Sequence, residues 1–121
     1  ALTLLNDPAY VECAKMLGQR MLKDREALRR ARDLKKPEED AKRLAYGFRL
    51  CTSRPPTEQE LRILNTLLVE QRAHFKADVD SAKKLLGVGD AKLDETLDPA
   101  EAAAWACVGS ALINLDATIH R

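Results

Sequence analysis

Apolar residues recur along this chain at steps of three and four in four separate stretches, the spacing of one face of a helix. In the first stretch Tyr10, Ala14, Leu17 and Met21 share a face behind Asp7 and Pro8, an N-cap residue followed by proline at the first helical position. The spacing predicts a helix to about Lys23, with an extension through "REALRRARDLKK", where apolar positions thin out. A second helix opens at Pro37, with Glu38, Glu39 and Asp40 set favourably for the helix dipole. Its buried stripe is Ala41, Leu44, Phe48 and Cys51. Pro55 biases Arg54 away from helical geometry, so this helix must end before it. Thr57 and Glu60 then form a capping box that starts a third helix. There Leu61, Leu64, Leu68, Gln71 and Phe75 make the stripe, and Ile63 and Leu67 are expected to widen it. Asp78 or Asp80 caps a short helix "SAKKLL" that Gly87 and Gly89 end, and "VGDAKLDETL" reads as a loop. After Asp98 and Pro99, the last helix repeats Trp105, Val108, Leu112, Leu115 and Ile119.

No stretch alternates apolar and polar residues with period two, so the expected fold is all-α. It is a compact bundle of four main helices with a short fifth, forming one domain over residues 1–121. The expected core is Tyr10, Leu17, Phe48, Leu64, Leu68, Phe75, Trp105, Val108, Leu112 and Leu115. Composition agrees: 121 residues suffice for one core, and 32% charged residues with 4% aromatics suit solvated helices on an aliphatic interior.

Charge narrows the function classes. A net charge of +1 gives no electrostatic reason to expect nucleic acid or an anionic membrane. The stretch from Lys15 to Lys36 is basic, but acids are interspersed and aromatics absent, so it reads as a solvated face or one that docks on an acidic neighbouring domain. An acidic set exists in Asp78, Asp80, Asp90, Asp94, Glu95, Asp98 and Glu101. Cys13, Cys51 and Cys107 are too few and too scattered for a disulfide framework and read as small buried hydrophobes. No apolar run reaches membrane-spanning length. The first residues have no basic region of a signal peptide, and the missing initial Met suggests a piece of a longer protein.

Few residues carry candidate chemistry. His74 and Asp78 are four apart, but no Glu-x-x-His accompanies them, so no metal site is expected. Pairing of Cys51 with His120 as nucleophile and base is equally disfavoured. No Cys-x-x-Cys-His is present, so no haem is attached to this chain. Asn114 and Asp116 are polar positions among apolar ones near a helix end, where a carboxylate opposes the dipole. A buried link from Asp116 to Arg49 or Arg54 would offset that cost. The four residues Arg49, Arg54, Asn114 and Asp116 are therefore expected to form a structural polar network, with a ligand cleft as the alternative.

The same residues carry a resemblance. "LTLLNDPAYVECAKMLGQRML", "RLAYGFRLCTSRPPTEQEL" with "EQRAHF", and "AAWACVGSALINLD" look like three consecutive blocks of the domain of unknown function 1553, also called the planctomycete-specific C-terminal domain. Asn6, Asp7, Pro8, Val11 and Glu12 match the first block, Phe48 to Leu50 and Ser53 to Thr57 the second, with Leu61 and Gln71 after it, and Trp105, Val108, Leu112, Asn114, Leu115 and Asp116 the third. Ala117 and Thr118 depart from the family's usual Glu and Phe. The resemblance covers essentially the whole chain and only the last part of the family domain. It implies an exported, envelope-associated parent with a cytochrome-c-like domain, and hence c-type haem elsewhere in the parent. It supplies no activity. The expected role is a non-catalytic structural or interaction module whose partners are other domains of the same parent. The alternative is an accessory part of a redox or polysaccharide-processing active site, with nucleic-acid binding the least favoured reading.

Overall fold

The computed structural model describes residues 8–23, 36–87 and 97–119. Among them five helices occur and no strand: α1 (Pro8–Lys23), α2 (Lys36–Thr52), α3 (Glu58–Ala77), α4 (Val79–Leu86) and α5 (Pro99–Ile119). The all-α bundle is thus as expected, short fifth helix included. The predicted extension through residues 24–35, most of the loop at 88–96, and the Asp7 cap lie outside the described residues.

Local chemistry sets the helix ends. Thr57 and Glu60 form the reciprocal capping box: the Glu60 amide donates to Thr57 Oγ1 at 3.2 Å and the Thr57 amide donates to Glu60 Oε1 at 2.8 Å. Asp78, not Asp80, caps α4, accepting from the Ser81 amide at 3.2 Å and the Ser81 hydroxyl at 2.7 Å. Those bonds hold the Asp78 carboxyl below its ordinary pKa. Asp98 caps α5 through the Glu101 amide at 3.3 Å. Gly87 ends α4 in an ordinary right-handed conformation, so a left-handed turn is not its role there.

The centre of the bundle is α5, which contacts each of the other four helices. Every residue from Ala102 to Ser110 is buried. The expectation of an amphipathic last helix is corrected here: a helix apolar on all sides belongs inside the bundle, not on its surface. Phe48, Leu68, Trp105, Val108 and Leu112 are fully buried, and Leu64 and Phe75 nearly so. Leu17 and Leu115 pack against this core but are only partly buried. The side chain of Tyr10 lies outside the described residues.

Two further expectations are overturned. Ile63 is 61% exposed. At about 100° per residue it sits roughly 120° round from the centre of the Leu61–Leu64–Leu68–Phe75 stripe, so it cannot widen that stripe. Cys13 is exposed, whereas Cys51 is half-buried and Cys107 is buried. The buried line of α1 is Val11, Ala14, Gly18 and Met21, which turns Cys13 outward.

Candidate functional site

The sequence "LCTSRPPTEQEL" forms a closed corner between α2 and α3. The Ser53 amide bonds back to the Arg49 carbonyl at 2.9 Å, and Ser53 takes a left-handed φ of 62°. Thr52 Oγ1 donates to the Phe48 carbonyl at 2.8 Å. The Arg54 guanidinium reaches across the two prolines to fork onto Glu60, with both N···O distances 2.9 Å. Its central carbon also lies over the Phe48 ring, 4.9 Å from the centroid, so the cation covers a core aromatic while it is paired with Glu60. The Arg54 hydrogen bond, with help from the Thr57 amide, holds the Glu60 carboxyl down to about 2.

This geometry bears directly on the four residues proposed as a network. Arg54 is exposed, and the carboxylate it engages is Glu60, from the next helix. Arg49 is exposed on the last turn of α2. Asn114 is exposed on α5, and the side chain of Asp116 lies outside the described residues. Arg54 is thus joined to the capping box, and its bonding is local to the corner.

A stronger polar site was not anticipated. Arg72 of α3 donates to two carboxylates at once. Its Nη1 and Nη2 meet Asp40 of α2 at 2.9 and 3.2 Å, and its Nε and Nη2 meet Glu101 of α5 at 2.6 and 3.0 Å. The Asp40 side chain is only 4% exposed and that of Arg72 13%. Burial alone would lower the Arg72 pKa, but the bonds and charges of Asp40 and Glu101 override it and raise the group above its ordinary value. One guanidinium therefore ties three helices, using four of its five donors. The signal was present in the chain. Asp40 stands four before Leu44, Arg72 four after Leu68, and Glu101 four before Trp105, so each charge continues the buried stripe of its own helix.

The second feature missed is a seam of small residues between α1 and α5. A Cβ placed on Gly18 would come within 2.6 Å of the Trp105 carbonyl carbon, and one on Gly109 within 2.6 Å of the Ala14 carbonyl oxygen. The helices run antiparallel with their backbones touching, which only glycine permits at those two positions. Beside the seam Trp105 is wholly buried, and its indole Nε1 has no acceptor among the described residues. Burial of the large ring outweighs that cost of about 1–3 kcal/mol. Burial also pushes the Cys107 thiol up to about 12 and pulls the Lys15 ammonium below its ordinary value, the latter opposed by Glu12.

On its outer side α1 lines an open hollow of about 590 Å³ with Cys13, Met16, Leu17, Gln19, Arg20 and Lys23. Among the described residues no group of three or more His, Cys, Asp or Glu side chains converges on a point that could hold a metal ion. No described helix is long and apolar enough to cross a membrane.

The site and fold therefore define an all-helical domain stitched by one arginine clamp, one glycine seam and one proline corner. Its sequence matches the family described as protein of unknown function (DUF1553) over residues 1–68, and the chain belongs to that family. The match takes in α1, α2, the corner and the first half of α3, and the third resembling block lies beyond it. No curated protein and no solved structure was found to match the chain.

Proposed function

We propose that this domain is a non-catalytic structural and interaction module near the C-terminus of a large exported protein, where it docks on other domains of that protein, including one carrying c-type haem. The exported, planctomycete-type parent rests on the block resemblance. The observation that supports a framework role is the use of the charged groups. Arg54 is committed to Glu60 and the Phe48 ring, and Arg72 to Asp40 and Glu101. These guanidinium groups hold helices together in the places where a catalytic cleft would leave them open to a ligand. Meanwhile Leu50, Ile63, Val69 and Val79 keep between 41% and 61% of their surface exposed on α2, α3 and α4. Such side chains suit contact with a neighbouring domain.

The test is reconstitution. The domain and the remaining part of its parent, expressed separately, are expected to co-migrate on size exclusion, and Ile63→Glu with Val69→Glu to weaken the complex. Independent migration at about 50 µM would remove the docking reading, because interdomain contacts of ordinary size persist there.

A second reading has one observation in its favour. Arg49 is exposed, and among the described residues its guanidinium has no ion-pair partner. An accessory role at a polysaccharide or redox site would use such a group. Thermal stabilisation by oligosaccharides that Arg49→Ala abolishes would favour it over the module.

A further inference from the structure

We infer that the outer face of α3 is the contact surface for a second copy of this chain, packed antiparallel about a two-fold axis at Thr66. The inference rests on the reading of the domain as an interaction module, and it names the occupant of the α3 part of the exposed surface. The core stripe of α3 runs through Leu61, Leu64, Leu68 and Phe75. The line opposite it runs through Gln59, Thr66 and Ala73, all exposed. Steps of seven keep those three within about 40° of one another, the spacing of a helix-pairing seam. Flanking the line, Ile63 and Val69 are 61% and 52% exposed, the highest values among the described large apolar side chains. The Thr66 hydroxyl donates to the Arg62 carbonyl at 2.9 Å, so a close approach at the axis strands no donor.

Symmetry selects the occupant. In an antiparallel pair with its axis at Thr66, a residue before Thr66 shares a layer with the residue equally far after Thr66 on the other copy. Arg62 stands four before and Glu70 four after, so opposite charges share a layer at both ends of the contact. Ile63 stands three before and Val69 three after, so the two exposed apolar side chains share a layer as well. Gln59 and Ala73, seven to either side, set a long residue against a small one. Both charges are available: Arg62 and Glu70 are exposed, and neither side chain has a hydrogen-bond or ion-pair partner among the described residues. Arg54 and Arg72, in contrast, are committed within the chain. A two-fold contact needs a face that complements itself, whereas a different domain would need no such symmetry about one residue. A parallel pair would set Arg62 beside Arg62 and Glu70 beside Glu70, and is disfavoured. With one helix face on each side the contact is small, so the dimer is weak and concentration-dependent.

Sedimentation equilibrium of the whole chain from about 10 µM to about 1 mM, in reductant so that the exposed Cys13 forms no bridge, tests this. The expected result is a monomer–dimer equilibrium. Ile63→Glu, at an exposed position that leaves the fold intact, abolishes it. Arg62→Glu and Glu70→Arg each weaken self-association about tenfold or more, because like charges then share both outer layers. Mixed together, those two variants pair with each other to within about threefold of the original chain, since every layer again holds opposite charges. Circular dichroism of each variant checks the fold. A monomer throughout the range overturns the proposal. So does a dimer indifferent to Ile63→Glu, or a mixture that pairs no better than its components. A monomeric chain that still co-migrates with the rest of its parent overturns the pairing and leaves the docking reading standing. A dimer with these charge responses that does not join the parent supports the pairing and removes the docking reading.

Discussion

Helix α5 is held on its two sides by opposite means. Toward α1 the join turns on shape: Gly18 and Gly109 bring backbone against backbone, at the main chain of Trp105 and Ala106 and of Ala14. Toward α2 and α3 part of the join is a charge clamp, in which Arg72 spans the gap to Asp40 and Glu101 with long side chains. The seam draws its strength from dispersion and excluded water, and any added atom meets backbone that cannot yield. The clamp can absorb small displacements, because its side chains have rotamers to adjust, but it fails if one charge is left without its partners.

The comparison is broken most severely at the seam's large residue. Trp105→Ala is expected to cost about 3–5 kcal/mol in urea unfolding. A loss below about 1 kcal/mol would mean that the ring carries no core weight. Next, Gly18→Val is expected to cost about 3 kcal/mol, the upper end for overpacking, because its first added carbon already falls on the Trp105 carbonyl. Retention of full stability would show that α1 can lift away freely.

At the clamp, Arg72→Met leaves two carboxylates facing each other and is expected to cost about 2–4 kcal/mol, less than for a fully buried pair because Glu101 keeps some solvent. Replacing all three groups with neutral ones of similar shape, Asp40→Asn, Arg72→Met and Glu101→Gln, is expected to recover most of that loss. If the triple variant is as unstable as Arg72→Met alone, the clamp contributes more than mutual neutralisation.

The core on the far face of α5 from the seam has a pH signature. The folded Cys107 thiol titrates near 12, against an ordinary value of 9.0. Between those values the unfolded chain has released a proton that the folded chain keeps. The contribution to stability is therefore complete below pH 9.0 and is lost as pH rises toward 12. Urea melts across that window are expected to show a decline that Cys107→Ala reduces. An identical decline in the variant would place the titration elsewhere. The smallest expected effect lies at the corner, away from both joins: Ser53→Gly relieves the left-handed φ of 62° and gains up to about 1 kcal/mol. A loss instead would show that the Ser53 side chain contributes more than its backbone costs.

Much of this architecture was legible in the chain. The Thr57–Glu60 box, the Asp98 cap and the break before Pro55 are determined within a few residues, because a cap bonds to backbone no more than a turn away. The stripes Leu44–Phe48 and Leu64–Leu68–Phe75 were likewise readable from spacing, since core-facing positions repeat with the helix. Ile63 was misread because a single apolar residue off the stripe looks the same in a sequence whether it widens the core or faces solvent.

What the chain alone could not decide was which charge meets which. Arg54 had carboxylates available in "EQE" nearby and in Asp116 far along the chain, and periodicity does not rank them; the corner geometry chose Glu60. Asp40, Arg72 and Glu101 each lay on a buried stripe, but they are separated by 32 and 29 residues, and only helix packing brings them together. The same holds for Gly18 and Gly109. Each is a small residue among others until two helices cross at that point, because close approach is a property of the pair of helices and belongs to neither sequence segment by itself.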